Sequence, residues 1–266
     1  MAGRDMPQPP PPALSADEIA FARSLVVSED AHLIAFNKPA GLAVQGGSGV
    51  TRSLEDLLGA FAKSNGKRPR LVHRLDRDTS GVIIAARTKP AAAFFSEAFA
   101  SRAAKKTYLA IVCGGAPTPD VGAIDLPLKK SSRKGLDIME IARPGEPGAQ
   151  TAHTAYRTRA ATPAAALVEL NPETGRMHQL RAHLAAIGRP IAGDGKYGGL
   201  FSLGGIEVPG LMLHAAALEI PHPEGGARAF SASPPPAFEK LRLALGVFGY
   251  LWTEGEAAPA AVSFAS

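Results

Sequence analysis

The stretch LVHRLDRDTSGVIIAAR (71–87) sets four charged side chains and a histidine within six residues, His73 to Asp78. An apolar pair precedes them and an apolar run, Val82 to Ala86, follows. The two aspartates of this cluster read differently. Asp78, directly before Thr79, Ser80 and Gly81, has the place of a turn acceptor. Asp76 follows His73, Arg74 and Leu75 and has Arg77 beside it. A buried carboxylate stays ionised only with a cationic or hydrogen-bonding partner. Ionised and partly desolvated, it can act as a nucleophile or a base. A turn or cap role is the commoner fate of a lone aspartate, so Asp76 by itself leaves both readings open.

A second cluster is NPETGRMHQLRAHLAAIGRPIAGDGKYGG (171–199). Leu180, Leu184 and Ile187 form an apolar stripe at helical spacing, with His178 and Arg181 three positions apart on a neighbouring face. Gly175, Arg176, Gln179 and His183 crowd the same helix start, which is unusual for a face with nothing to bind. The alternative is a solvated helix face with an incidental histidine. Arg181 is a candidate cationic partner for Asp76.

These groups need a scaffold. Ser15 and Glu18 form a capping box that opens a helix through about Ser24. AHLIAF (31–36) reads as a strand, NKPAG (37–41) as a turn and LAVQ (42–45) as a second strand. Leu54, Leu57, Leu58 and Phe61 have helical spacing within SLEDLLGAFAKS (53–64), and GKRPR (66–70) is a basic loop. KPAAAFFSEAFASRAAKK (89–106) predicts a helix with Pro90 in its first turn and cations at its end. TYLAIV (107–112), AHTAYRTRA (152–160), AALVELNP (165–172) and LHAAALEI (213–220) predict strands. Residues 114–150 read as turn-rich, with a basic patch at Lys129–Gly135. HQLRAHLAAIG (178–188) predicts a helix ended by Gly188, and Pro236–Leu245 a last helix. Short strands interleaved irregularly with helices, several joined by tight turns, predict an α+β fold. Its sheet is expected to be mixed and mostly antiparallel, flanked by helices.

At 266 residues the chain is long for one ordinary domain and short for two, and 45% apolar residues can build a sizeable core. The net charge of +5 weakly favours an anionic partner, nucleic acid first. The single cysteine, Cys113, excludes an internal disulfide and any multi-cysteine metal site, and reads as a buried apolar side chain. No apolar stretch approaches the roughly 20 residues of a membrane-spanning helix, and MAGRDMPQPPPPALS lacks the apolar core of a signal peptide. A soluble, cytoplasmic protein is expected. G-x-G-x-x-G, Walker, H-E-x-x-H and G-x-S-x-G patterns are all absent, which argues against nucleotide-cofactor and common hydrolase chemistry.

HRLDRDTSG (73–81) resembles the signature of pseudouridine synthases of the RluA type, whose sister branch typically reads GRLD. NKPAGLAVQGG (37–47), KKTYLAIV (105–112), GAIDLPL (122–128), TGRMHQLRAHLAAIGRPIAGDGKYG (174–198) and LHAAAL (213–218) resemble further family segments, in the family order. Together they cover about Ala31 to Phe238. The resemblance implies the pseudouridine synthase fold with an active-site cleft, and isomerisation of uridine in ribosomal or transfer RNA to pseudouridine. Asp76 matches the family's catalytic aspartate, which attacks or deprotonates the sugar. Arg181 matches the active-site arginine. Tyr108 matches a tyrosine that stacks on the uracil and is a candidate to take the carbon 5 proton. A phenol with an ordinary pKa near 10 is a poor base at pH 7, which favours the stacking role.

By the same resemblance Arg74 assists in extracting the target nucleotide, which must leave its stack to be reached. The neighbouring polar residues His73, Lys106, Arg176, His178 and Gln179 are expected to contact the substrate. Thr79, Ser80 and Gly81 set the turn that presents Asp76, while Leu75 and Val72 read as core. The reaction involves no redox change or group transfer, so neither metal nor cofactor is expected, and RNA is the expected partner of a monomer. Lys67–Arg70 and Lys129–Lys134 are candidate phosphate contacts. The expected organisation is a proline-rich disordered leader (1–14), a catalytic domain (15–250) without the RNA-binding S4 module, and a flexible tail (251–266). Gln45 replaces a histidine common in relatives, and Gly210 a basic residue, so the choice of RNA does not transfer by analogy. A catalytically silent RNA-binding protein on the same scaffold is the alternative.

Overall fold

Leu33 and Ala35 pack on one side of their strand, Ile34 and Phe36 on the other, and all four are buried. Val82, Ile84 and Ala86 alternate with Ile83 and Ala85 in the same way. Strands apolar on both faces need cover on both, and helices provide it here. The computed structural model describes residues 13–47, 49–133 and 135–248. The leader up to residue 12, Lys134 and the tail from residue 249 lie outside the described residues.

The chain opens with α1 (Ala16–Ser24), β1 (Val26–Glu29), β2 (Leu33–Lys38), α2 (Leu54–Leu57), β3 (Arg70–Leu71) and β4 (Ser80–Ala86). There follow α3 (Lys89–Ala100), β5 (Lys105–Cys113), β6 (Val121–Asp125), β7 (Leu128–Arg133), β8 (Leu136–Ile141), β9 (His153–Ala161) and β10 (Ala165–Pro172). The last part holds α4 (Gln179–Ala186), β11 (Ser202–Leu203), β12 (Ile206–Glu207), β13 (Leu213–Pro221), β14 (Ala227–Ser231) and α5 (Pro236–Ala244). Ten strands form one sheet in the order β1-β2-β4-β13-β5-β10-β9-β6, with β3 also on β4 and β14 also on β13. Its pairings are antiparallel except that of β4 with β13. The α+β architecture with a mixed, mostly antiparallel sheet is therefore as the sequence predicts. No helix of the described residues is long and apolar enough to cross a membrane.

The parallel junction matters for the site. Ser80 and Gly81 pair there with His214 and Ala215. Gly81 has φ +112°, and a Cβ at this position would lie 2.1 Å from the Ala215 carbonyl oxygen, so only glycine fits. His214 is buried between the Ser80 hydroxyl, 2.9 Å from Nδ1, and the Ala232 carbonyl, 2.9 Å from Nε2. Burial pushes its pKa down to about 4. The neutral ring therefore accepts from Ser80 and donates to Ala232, tying β4 and β13 to the residue that follows β14.

Several elements differ from the sequence reading. Residues 42–45 form no strand; Ala43 makes only an isolated bridge to Ser53. The helix expected over 53–64 is one α turn followed by a 3₁₀ turn, Leu58–Phe61, although the apolar spacing holds, with Leu54, Leu57 and Leu58 buried. Helix α3 stops at Ala100, and Arg102 turns the chain in a left-handed conformation at φ +63°. Lys105 and Lys106 thus begin β5, paired with Glu219 and Leu218, and are not the cationic end of the helix. The turn-rich segment contains the hairpin β7–β8, whose Lys129 and Lys130 form ion pairs with Glu146 (2.6 Å) and Asp137 (2.8 Å). Cys113 is buried, as its sequence context predicts.

Candidate active site

Asp76 lies in the loop between β3 and β4, and this loop is anchored from several sides. The His73 ring accepts the Ile84 N–H at Nε2 (3.0 Å) and stacks on Phe99 at 4.3 Å between centroids. Burial, then the Lys106 charge, push its pKa down to about 3, so it is neutral and its acceptor is already used. Lys38 is fully buried and gives its ammonium protons to the carbonyls of Pro39, Leu42 and Arg77 at 2.8–2.9 Å. Burial lowers its pKa to about 8, against the attraction of Asp78 and Asp76. The Gly41 N–H also donates to the Arg77 carbonyl (3.0 Å), and the Thr79 N–H closes a turn onto the Asp76 carbonyl (3.2 Å). Lys38 was not singled out in the sequence, where NKPAG reads as a turn within a segment that resembles the family.

Arg181, in the first turn of α4, donates from Nη1 to Asp76 Oδ2 at 3.2 Å. A cation is unfavourable at a helix start, and this one is also buried. Its compensation is Asp194, fully buried, which takes Nε at 2.7 Å and Nη2 at 2.8 Å in a bidentate pair. Burial works against the Arg181 charge, but the bonds and charge of Asp194, with Asp76 behind them, hold its pKa above the ordinary arginine value. The guanidinium also lies over the Tyr197 ring, 5.2 Å from its centroid.

His178 is not a helical residue: it precedes α4 in a left-handed conformation at φ +50°, a strained position for a side chain of its size. That turn aims Nε2 at Asp76 Oδ2, 3.8 Å away, and Nδ1 at the Tyr197 hydroxyl, 2.9 Å away. The hydroxyl accepts the Met139 N–H at 2.8 Å and so has its own proton for His178 Nδ1. This network assigns the His178 ring proton to Nε2, facing Asp76. Burial lowers the His178 pKa despite the pull of Asp76, with Arg181 and Lys196 adding to the depression.

Tyr108, on β5 opposite Leu170 and Ala215, lines the same cavity as Asp76 and Arg181. Among the described residues its hydroxyl has no hydrogen-bond partner. Burial and then the Asp76 charge raise its pKa well above the ordinary phenol value, so it enters neutral chemistry as a phenol and not as a phenolate.

The remaining candidates divide by how much of their polar capacity is spent. Gln179 accepts from the Thr174 hydroxyl (2.7 Å) and the Arg176 N–H (3.0 Å), and donates to the His153 carbonyl (2.9 Å) and the Thr154 hydroxyl (3.0 Å). His183 continues this chain, accepting at Nδ1 from the Thr154 hydroxyl and donating from Nε2 to the Leu126 carbonyl. Both act as struts; Gln179, expected to contact substrate, lines the cavity with its amide oxygen and nitrogen each bonded twice within the protein. His73 commits Nε2 to the loop, while its ring lines the space beside the cavity. Arg176 uses Nε on the Thr151 carbonyl (3.0 Å), and Lys106 has one long bond, 3.4 Å, to the Thr174 carbonyl. Arg74 is exposed at the cleft rim, and no described residue pairs with it.

Asp194 and Tyr197, in the glycine-rich turn IAGDGKYGG (191–199), both contact Arg181, yet neither was singled out in the sequence, although both lie in its second cluster (171–199). The turn is as tight as its glycines suggest: Cβ atoms at Gly193 and Gly199 would lie 1.9 Å from the carbonyl oxygens of Gly210 and Ile191. The usable signal was a carboxylate and a phenol held inside a turn that only glycines can make.

Residues 32–186 match the family described as RNA pseudouridylate synthase. A curated relative, the mitochondrial pseudouridylate synthase RPUSD4 of Xenopus tropicalis, is 39% identical over 231 residues, 78% of this chain and 71% of that protein. The ribosomal large subunit pseudouridine synthase C of Escherichia coli K12 is 35% identical over 215 residues, 79% of this chain. The chain spans 66% of the length of that relative. Among solved structures, human RNA pseudouridylate synthase domain containing 4 superposes with a TM-score of 0.75 at 30% identity, covering 87% of this chain and 98% of that one. The corresponding domain-containing-1 protein gives 0.64 at 26% identity, over 84% and 95%. The chain belongs to the RNA pseudouridylate synthase family, whose members are isomerases.

Proposed function

We propose that this chain converts specific uridines of ribosomal RNA to pseudouridine, with Asp76 as the catalytic carboxylate. The observation that carries this is the 3.2 Å pair of Asp76 and Arg181 in a cavity also lined by Tyr108. In the reaction the N1–C1′ bond breaks, the detached uracil turns within the site, and C5 bonds to C1′. N1 gains a proton and C5 loses one, so the product is an isomer and no cofactor, metal or redox partner is consumed. Asp76 attacks or deprotonates the sugar, and Arg181 orients its carboxylate through the 3.2 Å bond from Nη1. Tyr108 stacks on the uracil and holds it through the turn; its raised pKa argues against a role as the C5 base. Arg74, free at the rim, fills the space that the flipped nucleotide leaves. The ribosomal substrate is favoured by the bacterial relative's name, and transfer RNA is the other candidate.

The test is a pseudouridine map of total RNA from cells with and without the gene, complemented by wild type or Asp76→Asn. Loss of defined sites that only the wild type restores is the expected result, and it names the RNA. Identical maps would refute the isomerase reading and leave a protein that binds RNA for another purpose.

A further inference from the structure

Beside the catalytic cavity runs a second groove of about 500 Å³. Arg74, Lys106 and Arg176 line both spaces, so the groove begins where the catalytic cavity ends. Its far side is formed by Arg102 and by the His73–Phe99 stack. None of the four cations has a carboxylate partner among the described residues, whereas Lys105, next in sequence to Lys106, pairs with Glu219 at 2.8 Å. Glu173 is the one acidic residue lining the groove, and it lies 3.6 Å from His153. The Lys106 stem is partly buried, so its ammonium is held at this place and not free to sweep the surface. Arg102 stands just after the end of α3 at φ +63°, a position where glycine or asparagine is the usual occupant. Its side chain is exposed and makes no ion pair among the described residues.

Unpaired cations next to an aromatic pair are the elements of a site for one nucleotide of a single strand: phosphate on the cations, base on the ring. We propose that this groove holds the nucleotide adjacent to the target uridine, its phosphodiester on Arg102 and Lys106 and its base against the His73–Phe99 pair. This rests on the reading of the chain as an RNA-modifying enzyme. It assigns strand-holding to two residues outside the chemistry and makes the groove the place where sequence context next to the target is sensed.

The test uses the full chain carrying Asp76→Asn, so that no turnover occurs, and labelled single-stranded polyuridylate as probe. Affinity is measured by anisotropy across a salt series. Each lost phosphate contact on a single strand lowers the slope of log K against log salt by about 0.7. Arg102→Gln and Lys106→Gln are each expected to lower it by that amount, and Lys106→Arg to keep it. Arg228→Gln, on β14 away from the cleft, is expected to match the parent. A parent slope retained in Arg102→Gln and Lys106→Gln, or an equal fall in Arg228→Gln, overturns the groove alone. Failure of the parent protein to bind polyuridylate with any salt dependence overturns the RNA reading and the groove with it.

Discussion

Asp194→Asn tests whether the pair of Asp76 and Arg181 depends on a second, buried carboxylate. Asp194 has a fully buried side chain and makes two short bonds to Arg181, whose own side chain is 8% exposed. Removing its charge leaves a buried guanidinium with one carboxylate partner, Asp76, at 3.2 Å and 28% exposed. Breaking a buried pair from one side costs about 3–5 kcal/mol. At roughly 2–4 °C per kcal/mol for a chain of this size, melting should fall by roughly 6–20 °C. Asp76→Asn removes a single bond at a partly exposed group and should cost about 1 kcal/mol or less. Calorimetric melting of wild type and both variants gives the comparison. In the double variant Asp194→Asn with Arg181→Gln, the two costs should fall well short of adding, because no buried charge is left unpaired. Equal melting shifts for Asp194→Asn and Asp76→Asn, or an Asp194→Asn protein that melts with wild type, would refute the claim that Asp194 holds Arg181.

Three more outcomes follow from the geometry. Arg74→Ala should slow turnover on paired RNA more than on single-stranded RNA, since unstacking a paired base costs a few kcal/mol that a single strand does not demand; equal losses on both would remove the flipping role. RNA affinity should fall as pH rises through about 8, because burial and Arg102 bring Lys106 to that value and its cation is present only below it. Arg74, Arg102, Arg176 and Glu173 line the same groove, and His73, also there, is already neutral. Lys38 also titrates near 8 but bonds interior carbonyls, so Lys106→Arg should flatten the pH dependence and Lys38 cannot supply it. Gly81→Ala should destabilise by about 3 kcal/mol or more, from a left-handed φ and a 2.1 Å clash with β13. A wild-type melting curve would show that β4 and β13 can part at no cost.

The sheet was legible because its central strands are apolar on both faces and bounded by turn residues, as in TYLAIV and AALVELNP. The capping box at Ser15 and the stop at Gly188, φ +71°, were legible because both depend on local bonds. Helix α3 was read too long because SRAAKK is helix-compatible; pairing of Lys105 and Lys106 with β13, more than a hundred residues away, takes them for the sheet. The hairpin β7–β8 was hidden because its strands, LKKSSR and LDIMEI, are half exposed and lack regular alternation. At the site, Asp76, Tyr108 and Arg181 could be named from motifs, and the Asp76–Arg181 pairing could be guessed. What could not be read was who compensates Arg181, since Asp194 reaches it through a glycine turn with no periodicity to betray it. Nor could the sequence separate Gln179 from Arg176, polar neighbours in one motif, of which one is saturated inside and the other faces the cleft.

That separation has a functional logic. An enzyme that detaches a base, turns it and rejoins it must keep the sugar-facing group still while leaving the strand-facing groups free. Lys38, His73, Gln179, His183 and Asp194 have their polar atoms committed within the protein, and together they hold the Asp76 loop and the start of α4. Arg181 is the joint between the two, since its guanidinium is bound on one edge by Asp194 and presents the other to Asp76. Arg74, Lys106 and the Tyr108 hydroxyl keep unspent hydrogen-bonding capacity and all face the cavity. Preorganised dipoles and charges act in the transition state without reorganising, whereas strand contacts must form and release with each turnover. On the proposed reading, the spent donors hold the Asp76 loop and the start of α4 and the unspent ones meet the RNA, a division that can be checked residue by residue. Substitution of a committed group should show first in stability, and substitution of an uncommitted one first in RNA affinity.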